Sequence, residues 1–168
     1  MTAEKRRAAI MQQLKEADQP VSATALAKAC GVSRQIIVGD VALLRAAGTD
    51  IAATPRGYVL AREETGLVRR VACCHTAGDM EQELNIIVDQ GCTVLDVLVE
   101  HPVYGQLTGA LQLKSRYDVQ QFIRRSAKAR PLSLLTEGIH LHTLSCPDEE
   151  AFLRVKAALA QAGYLLEA

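Results

Sequence analysis

The sequence predicts an α+β protein of two domains, a mainly helical one at residues 1–62 and an α/β sandwich at residues 67–168. Three observations carry this prediction. Short amphipathic helical patterns fill the first part, strand-like and helix-like stretches alternate in the second, and all four histidines lie in that second part. With 168 residues and 49% hydrophobic composition, the chain is long enough to bury a core in each part.

The first helix is predicted from about Ala3 to Ala17. Ile10 and Leu14 fall on one face of it together with Ala17, and three basic residues stand near its start. Pro20 lacks a backbone donor and disfavours helical geometry at Gln19. The helix is therefore expected to end before this pair.

Two further helices are predicted between Val21 and Gly48, separated by a tight turn at Gly31. Ser22 and Ser33 are the expected N-caps, because a serine hydroxyl accepts a hydrogen bond from an amide two or three residues later. Glycine after the first of these helices tolerates the positive φ of a C-terminal cap. The buried stripe of the second follows the spacing i, i+4 and i+7: Ile37, Val41 and Leu44.

The exposed face of that second helix begins with long polar side chains. In a DNA-reading helix-turn-helix, the first turn of the second helix meets base edges, and its N-terminus favours phosphate. We therefore expect four residues of this helix start to contact double-stranded DNA: Ser33, Arg34, Gln35 and Val38. Arg56, in the stretch that follows the helices, is a further expected DNA contact. An ordinary helical hairpin, in which Arg34 and Gln35 are solvated surface, shows the same pattern.

The stretch from Ile51 to Leu60 favours the DNA-binding interpretation. Its centre, Thr54-Pro55-Arg56-Gly57, suits a type I turn with proline second and glycine fourth, between two short strands. Three helices followed by such a hairpin form a winged helix-turn-helix, and Arg56 at the tip would lie against a phosphate or in the minor groove. Most winged helices bind nucleic acid, although a minority dock proteins.

The charge distribution supports the same interpretation. The formal net charge is zero, but residues 1–62 carry nine lysines and arginines against five acidic residues, and the remainder carries ten against fourteen. A basic first part gives the electrostatic footprint of phosphate binding. Five cysteines, with no CxxC and no secretory leader, predict reduced thiols in the cytoplasm. No apolar run approaches the roughly 18 residues of a membrane span.

The second part is predicted as a split β-α-β sandwich, with helices over one face of a mixed or antiparallel sheet. Its stretches follow the order β-α-β-β-α-β-α: Leu67–His75, Asp79–Gln90, Thr93–His101, Leu107–Leu113, Asp118–Ala129, Gly138–Leu144 and Asp148–Ala162. Asp118 and Asp148 are the expected starts of the last two helices. Neither GxGxxG nor GxxxxGKS/T occurs, which excludes the usual dinucleotide and P-loop sites.

Residues that bind metals cluster in this second part. His140 and His142 are two apart on a predicted strand, so their rings leave one face and converge, while Leu141 is expected to face a core on the other side. His75 ends an earlier strand, and Glu83 lies on the apolar stripe of the following helix. A buried carboxylate is costly without a cation or a strong donor. These three histidines and Glu83 are therefore the predicted metal ligands.

Each of these residues taken alone has an ordinary alternative, since a single histidine is usually a core or surface residue. Together, three imidazoles and one carboxylate suit Zn, Ni, Fe or Mn and leave one or two positions open for water or a small anion. Cys73, Cys74 and Cys146 are interpreted as core thiols. Cys73 is the first exception to consider, because it shares the face of His75.

Five motifs along the chain carry a family resemblance: VSRQIIVGDVALLRAAG, IAATPRGY, CHT, VEHPVYG and LTEGIHLHTL. Through them the sequence resembles the niacin-responsive transcriptional repressors, which join a winged helix-turn-helix to a three-histidine (3H) domain. The resemblance implies a homodimer that binds an operator upstream of NAD-biosynthesis or niacin-transport genes, with nicotinic acid as co-repressor. It also implies a transition metal bound by His75, Glu83, His140 and His142.

Further site residues are expected around this centre. His101, in VEHPVYG, matches a family motif and is assigned to the ligand pocket, and Thr76 and Arg69 are candidates to hold the pyridine ring. Gly39 is a departure, because family members are expected to carry a polar residue there, commonly glutamine. A mid-helix glycine costs about 1 kcal/mol relative to alanine, and any base contact made from that position is absent here.

The expected mechanism is that the carboxylate of nicotinate fills an open metal position. Binding would then set the spacing of the recognition helices in the dimer to half-sites about one DNA turn apart. One alternative is a metal-responsive regulator, in which the cation itself is the effector. Another is a small metallohydrolase with a DNA-binding arm, although no well-placed general base stands beyond the proposed ligands. A biotin protein ligase is disfavoured by the missing glycine-rich loop.

Overall fold

The computed structural model describes residues 1–61, 66–129, 131–132 and 136–167. The chain forms two compact units, Met1–Glu63 and Glu64–Ala168. The predicted domain limit at residue 62 and the connector up to residue 65 lie outside the described residues. Each unit encloses a hydrophobic core of its own. Among the described residues, no helix combines the length and the apolar character that crossing a bilayer requires.

The described residues of the first unit form three helices and a hairpin: α1 (Ala3–Glu16), α2 (Ala23–Cys30), α3 (Arg34–Ala46), β1 (Ile51–Thr54) and β2 (Gly57–Leu60). The predicted caps are confirmed, because the Ala25 amide donates to Ser22 Oγ and the Ile36 amide donates to Ser33 Oγ. Gly31 follows α2 with a φ of 65°. The order of helices and hairpin is that of a winged helix-turn-helix.

The hairpin is anchored to the segment before α2. Thr54 pairs with Gly57 across the turn, and Val21 forms a bridge to Tyr58. A Cβ at Gly57 would lie 2.5 Å from the carbonyl carbon of Val21, and the φ of Gly57 is 140°. Glycine is therefore required for the hairpin to approach Val21 this closely.

The core of the first unit contains an ion pair that the sequence analysis missed. Asp40 on α3 is 4% exposed, next to the predicted core residue Val41. The Arg6 Nε donates to its Oδ2 at 2.5 Å, and Arg7 Nη1 lies 3.5 Å from its Oδ1. Hydrogen bonding to Arg6 holds the pKa of Asp40 below its usual value, although burial opposes this. Two of the arginines counted toward phosphate binding thus neutralise a carboxylate of their own unit.

The described residues of the second unit form four strands and three α-helices: β3 (Leu67–Cys74), α4 (Met80–Asp89), β4 (Thr93–His101), β5 (Gly105–Leu113), α5 (Arg116–Ser126), β6 (Ile139–Cys146) and α6 (Glu149–Gln161). A 3-10 helix, Ala77–Asp79, precedes α4. The sheet has the strand order β3-β6-β4-β5, and every neighbouring pair is antiparallel. Strand β6 therefore lies between β3 and β4, which α4 connects along the chain. This is the predicted split β-α-β arrangement.

Helix α5 begins two residues earlier than predicted. Its N-cap is Ser115, whose Oγ accepts from the Asp118 amide at 3.1 Å, while the Asp118 carboxylate accepts from the Lys114 amide at 3.0 Å. A serine followed three residues later by an acid is a known sign of a helix start, so the prediction of Asp118 as the start was wrong. Asp148 caps α6 as predicted, by accepting from the Ala151 amide.

The core of the second unit lies between the helices and one face of the sheet. Leu144 on β6 and Leu84 on α4 belong to it and are at most 1% exposed. Because alternate residues of a strand share a face, His140 and His142 point to this helix-covered side with Leu144. Leu141 points to the other side and is half-buried. The expectation that Leu141 faces a core was wrong, since the described core lies on the histidine side.

Candidate metal centre and nucleic-acid interface

Four polar side chains converge on the helix-covered face of the second unit. His140 and His142 come from β6, His75 follows the last residue of β3, and Glu83 lies in the first turn of α4. One Glu83 oxygen lies 3.0 Å from His140 Nε2 and 2.6 Å from His142 Nε2. The other oxygen makes a close contact with His75 Nε2. The structure thus brings all four predicted metal ligands together.

The cluster is closed to solvent. Glu83 is 0% exposed, His140 is 2% exposed and His142 is 3% exposed. The His75 side chain is equally well covered. An ionised carboxylate buried in this way is stable only beside positive charge or strong donors.

The opposite nitrogen of each imidazole is held by a backbone carbonyl. Three contacts do this: His75 Nδ1 to the Thr76 oxygen at 2.7 Å, His140 Nδ1 to the Gly138 oxygen at 2.8 Å and His142 Nδ1 to the Asp96 oxygen at 2.8 Å. Because a carbonyl only accepts, each Nδ1 carries a hydrogen, and the neutral ring presents the lone pair of Nε2 to the cluster. Metal-binding histidines are typically held in this way.

The donor chemistry of the cluster fits a divalent transition metal. Lone pairs of three Nε2 atoms and of the Glu83 carboxylate face one another, and acceptors in contact repel unless a cation or added protons lie between them. Three imidazole nitrogens and a carboxylate oxygen suit Zn, Ni, Fe or Mn. The residues present therefore match the ligand set that the sequence predicts.

The ionisation of these groups follows from their contacts. Burial disfavours charge on Glu83, but attraction to His142 and the close contacts with the nitrogens of His140 and His142 hold its pKa well below the usual value. Burial also disfavours charge on His142, yet Glu83 raises the pKa of that imidazole above its usual value. The carboxylate is therefore the ionised partner of the cluster, and it attracts positive charge.

A β-bulge in β4 supplies the partner of His142. The register of β4 against β6 shifts between Val94 and Asp96, so one residue is left without a partner. The Asp96 carbonyl accepts from His142 Nδ1, and its carboxylate accepts from the Thr143 amide at 3.0 Å. The sequence analysis missed Asp96, although an acid inside the apolar stretch of β4 was an available signal.

Two further residues shape the cluster and were also missed. Gly138 has a φ of 91°, and a Cβ there would lie 2.4 Å from the His75 oxygen. The close approach of the segment before β6 to His75 therefore requires glycine at position 138. Tyr164 lies on another side, with its ring centroid 5.2 Å from that of His75. The Tyr164 hydroxyl donates to Gln82 Oε1 at 2.8 Å.

Thr76, a predicted ligand contact, lies beside the cluster. Its carbonyl accepts from His75 Nδ1, and its hydroxyl donates to Asp79 Oδ2 at 3.0 Å. Arg69 lies elsewhere. It stands six residues before His75 on β3, about 20 Å away at roughly 3.3 Å per residue, and it pairs with Glu149 at 3.3 Å. The structure therefore does not bring Arg69 to the metal ligands.

His101 ends β4, at the end of the sheet where β6 begins. Strand register places Val97 opposite His142, so His101 follows on the same face by alternation. Its Nδ1 accepts from the amides of Val103 at 3.1 Å and Tyr104 at 3.2 Å. Since Nδ1 is an acceptor here, the neutral ring carries its hydrogen on Nε2.

The predicted DNA contacts lie on the surface of the first unit. Ser33, Arg34 and Gln35 are exposed at the start of α3, and Val38 is half-buried. Arg56 is half-buried at the hairpin turn, where its Nη1 donates to Gln19 Oε1 at 3.1 Å. The guanidinium is therefore oriented by the segment that joins α1 to α2.

Gly39 is exposed on the same face of α3. A Cβ at this position would meet no described atom within 4 Å. Packing therefore does not require glycine, and a longer side chain could extend from this point into a groove.

Comparisons with known proteins describe both units. An HTH domain matches residues 6–59, and a 3H domain matches residues 68–168. The chain is 43% identical over 160 residues to the probable transcription repressor NiaR of Thermotoga maritima, covering 94% of this chain and 91% of that protein. It is 45% identical over 168 residues to the transcription repressor NadR of Bacillus subtilis, covering 96% of this chain and 93% of that protein.

Proposed function

The chain belongs to the NiaR-type family of transcription repressors, and on that premise we propose that nicotinic acid is its co-repressor at genes of NAD biosynthesis or niacin uptake. It is a DNA-binding repressor and not an enzyme, which removes the metallohydrolase from consideration. The proposal also includes a homodimer and a divalent transition metal bound by His75, Glu83, His140 and His142.

The observation that carries the proposal is the convergence of three Nε2 lone pairs on the fully buried Glu83 carboxylate. A metal bound there would supply a positive centre with open positions for the carboxylate of nicotinate. Nicotinamide has no carboxylate, so an open metal position would favour the acid, with its anionic oxygen, over the amide. The carbonyls that hold each Nδ1 keep the rings oriented before any ligand arrives.

We assign His101 to the recognition of nicotinate. Its two amide donors fix Nδ1 as an acceptor, so Nε2–H is available to donate to an acceptor of the ligand. The ring of Tyr104 lies 4.9 Å from that of His101. Thr76 belongs to the same region through its contact with His75.

Repression would follow from the geometry of the dimer. Binding of nicotinate to both second units would favour the arrangement in which the two α3 helices match half-sites about one DNA turn apart. Arg34 and Gln35 would then contact base edges, and Arg56 would contact the phosphate backbone or the minor groove. Without this arrangement, binding would fall to the non-specific level.

Operator binding tests the proposal directly. Fluorescence anisotropy of a labelled duplex at one fixed salt concentration compares metal-loaded and metal-stripped protein with nicotinate, nicotinamide or neither. We expect at least about tenfold tighter binding, about 1.4 kcal/mol, when metal and nicotinate are both present. A response to metal that ignores nicotinate would favour a metal-responsive regulator. Equal binding in all six samples would rule out both effectors.

A further inference from the structure

We propose that Cys73 is a fifth ligand of the metal centre, a thiolate that makes the site prefer Zn²⁺ and Co²⁺ over Mn²⁺ and Mg²⁺. This inference rests on the metal site proposed above and extends its ligand set beyond three imidazoles and one carboxylate. It follows from the position of Cys73 in the sheet and from the distances between ligand atoms.

Cys73 lies directly opposite His140 in the pairing of β3 with β6. Side chains of directly opposed residues share one face and have Cβ atoms about 4.5–5.5 Å apart. Cys73 is 0% exposed, and it lies two residues before His75 on the same face of β3. The thiol therefore lies beside His140 on the face of the sheet that carries the cluster.

The distances between ligand atoms bring the Cys73 sulfur close to the shell of a shared ion. Cys73 Sγ, a Glu83 carboxylate oxygen and an imidazole nitrogen of His140 all lie within 4.8 Å of one another. With Zn–S of about 2.3 Å and Zn–N of about 2.1 Å, two ligands at the tetrahedral angle lie about 3.6 Å apart. A movement of the Cys73 sulfur by about 1 Å or less would therefore bring it onto an ion held by Glu83 and His140.

The other described cysteines of this unit differ from Cys73 in their surroundings. Cys92 and Cys146 contact each other, with sulfur atoms 3.0 Å apart, inside the core. Cys74 follows Cys73 along β3 and therefore points to the opposite face of the sheet. Cys73 is thus the thiol of this unit that the structure places against a carboxylate and an imidazole, and Cys74 offers a matched control.

The binding step needs no oxidant or reductant. The divalent ion forms a bond to sulfur, the S–H bond breaks, and the proton leaves to the solvent, so the oxidation states of metal and sulfur are unchanged. Thiolates bind Zn²⁺ and other borderline or soft cations, whereas Mg²⁺ and Mn²⁺ favour oxygen ligands. The predicted preference for Zn²⁺ and Co²⁺ follows from this difference.

Cobalt substitution tests the proposal in the full-length protein. Co²⁺ is added to metal-stripped wild type, Cys73→Ser, Cys73→Ala and Cys74→Ser, and absorption is recorded in the visible and near ultraviolet. Wild type and Cys74→Ser should show d–d bands together with a sulfur-to-cobalt charge-transfer band. Both Cys73 variants should lose the charge-transfer band, keep the d–d bands, and bind Zn²⁺ at least about tenfold more weakly while Mn²⁺ binding changes little.

Other outcomes separate this inference from the metal site itself. If wild type shows d–d bands without the charge-transfer band, or if Cys73→Ser retains that band, Cys73 is not a ligand although the metal site stands. If Co²⁺ produces no d–d bands in wild type, the metal site and the inference both fail. Circular dichroism of each variant establishes that it is folded, and the wild-type spectrum decides the question even if both Cys73 variants unfold.

Discussion

Two buried carboxylates, Asp40 in the first unit and Glu83 in the second, have different neighbours. Asp40 in the first unit lies between two arginines, whose guanidinium groups are always charged. Glu83 in the second unit lies between three imidazoles, whose inward nitrogens carry lone pairs in the neutral form. Asp40 therefore has its counter-charge in the chain itself, whereas Glu83 depends on a proton or an added cation.

The two carboxylates indicate where function lies in each unit. In the first unit the buried ion pair is structural, and the predicted DNA contacts stand on the exposed side of α3. In the second unit the predicted ligands belong to the interior itself. Substitutions should therefore separate function from stability in the first unit and affect both together in the second.

The largest effect is expected at Glu83. The Glu83→Gln variant keeps the size of the side chain but removes the charge that attracts a cation, so metal-binding free energy should fall by roughly 4 kcal/mol. Competition with a chromophoric chelator measures this change. Glu81→Gln, exposed on the same helix, is the control and should bind metal like wild type. Equal affinity in the two variants would contradict the assignment of Glu83.

The next largest effect is expected at Gly138. In Gly138→Ala the new methyl group would strike the His75 carbonyl, and the left-handed backbone adds strain of its own. We expect a loss of roughly 3 kcal/mol in the free energy of unfolding, measured by urea denaturation, and weaker metal binding.

Gly163→Ala is the matched control for Gly138→Ala. Gly163 also has a positive φ, of 80°, but a Cβ there meets no described atom within 4 Å. It should lose only the roughly 1–2 kcal/mol of the backbone term. If the two variants lose equal stability, the close approach to His75 does not constrain the site.

Metal addition should stabilise the second unit selectively. At a free concentration one hundred times the dissociation constant, a bound metal stabilises the folded state by about 2.7 kcal/mol. Hydrogen exchange with and without metal should show slower exchange at the amides of β3, α4 and β6 and unchanged exchange in α1 to α3. Slower exchange throughout the first unit as well would contradict the prediction that the metal stabilises the second unit selectively.

A smaller effect is expected at Asp40. Because its folded pKa is lowered, chiefly by the hydrogen bond from Arg6, the ion pair contributes fully above the unfolded pKa of about 3.9 and is lost as the pH falls through the folded pKa. Asp40→Asn should lose roughly 1.5 kcal/mol at neutral pH and show a weaker dependence of stability on acid. Hydrogen exchange at the amides of α1 and α3 between pH 3 and 7 measures the loss of stability and its dependence on pH. Asp50→Asn, at an exposed position, is the control.

The smallest effect is expected at Gly39. Alanine there should stabilise α3 by about 1 kcal/mol, because the position is open and glycine is a poor helix former. Urea denaturation measures the gain. Gly39→Gln should gain nearly as much and alter operator affinity as well, whereas Gly39→Ala should leave that affinity unchanged.

Local signals in the sequence predicted much of the fold and the four side chains that converge in the second unit. Serine caps, the spacing of His140 and His142, and the place of Glu83 on an apolar stripe are each contained in a few consecutive residues. Strand alternation and helical periodicity convert such spacings into shared faces. These predictions therefore did not require knowledge of which strands pair.

The residues that sequence analysis missed depend on contacts between distant segments. Arg6 and Asp40 meet across two helices, 34 residues apart. Asp96 accepts from His142 only because a bulge forms when β4 pairs with β6, and Gly138 matters only because His75 passes beside it. Strand pairing determines these contacts, and a single sequence gives no direct record of it.

Strand β6 occupies an interior place in the sheet although it is the last strand along the chain. During synthesis, β3, α4, β4 and β5 leave the ribosome before the strand that must insert between β3 and β4. His140 and His142 emerge with that strand, so a nascent chain lacks half of the cluster until β6 has entered. Pairing between segments so far apart in sequence is slow. The complete set of proposed ligands would therefore exist only in molecules whose β6 has already paired with β3 and β4.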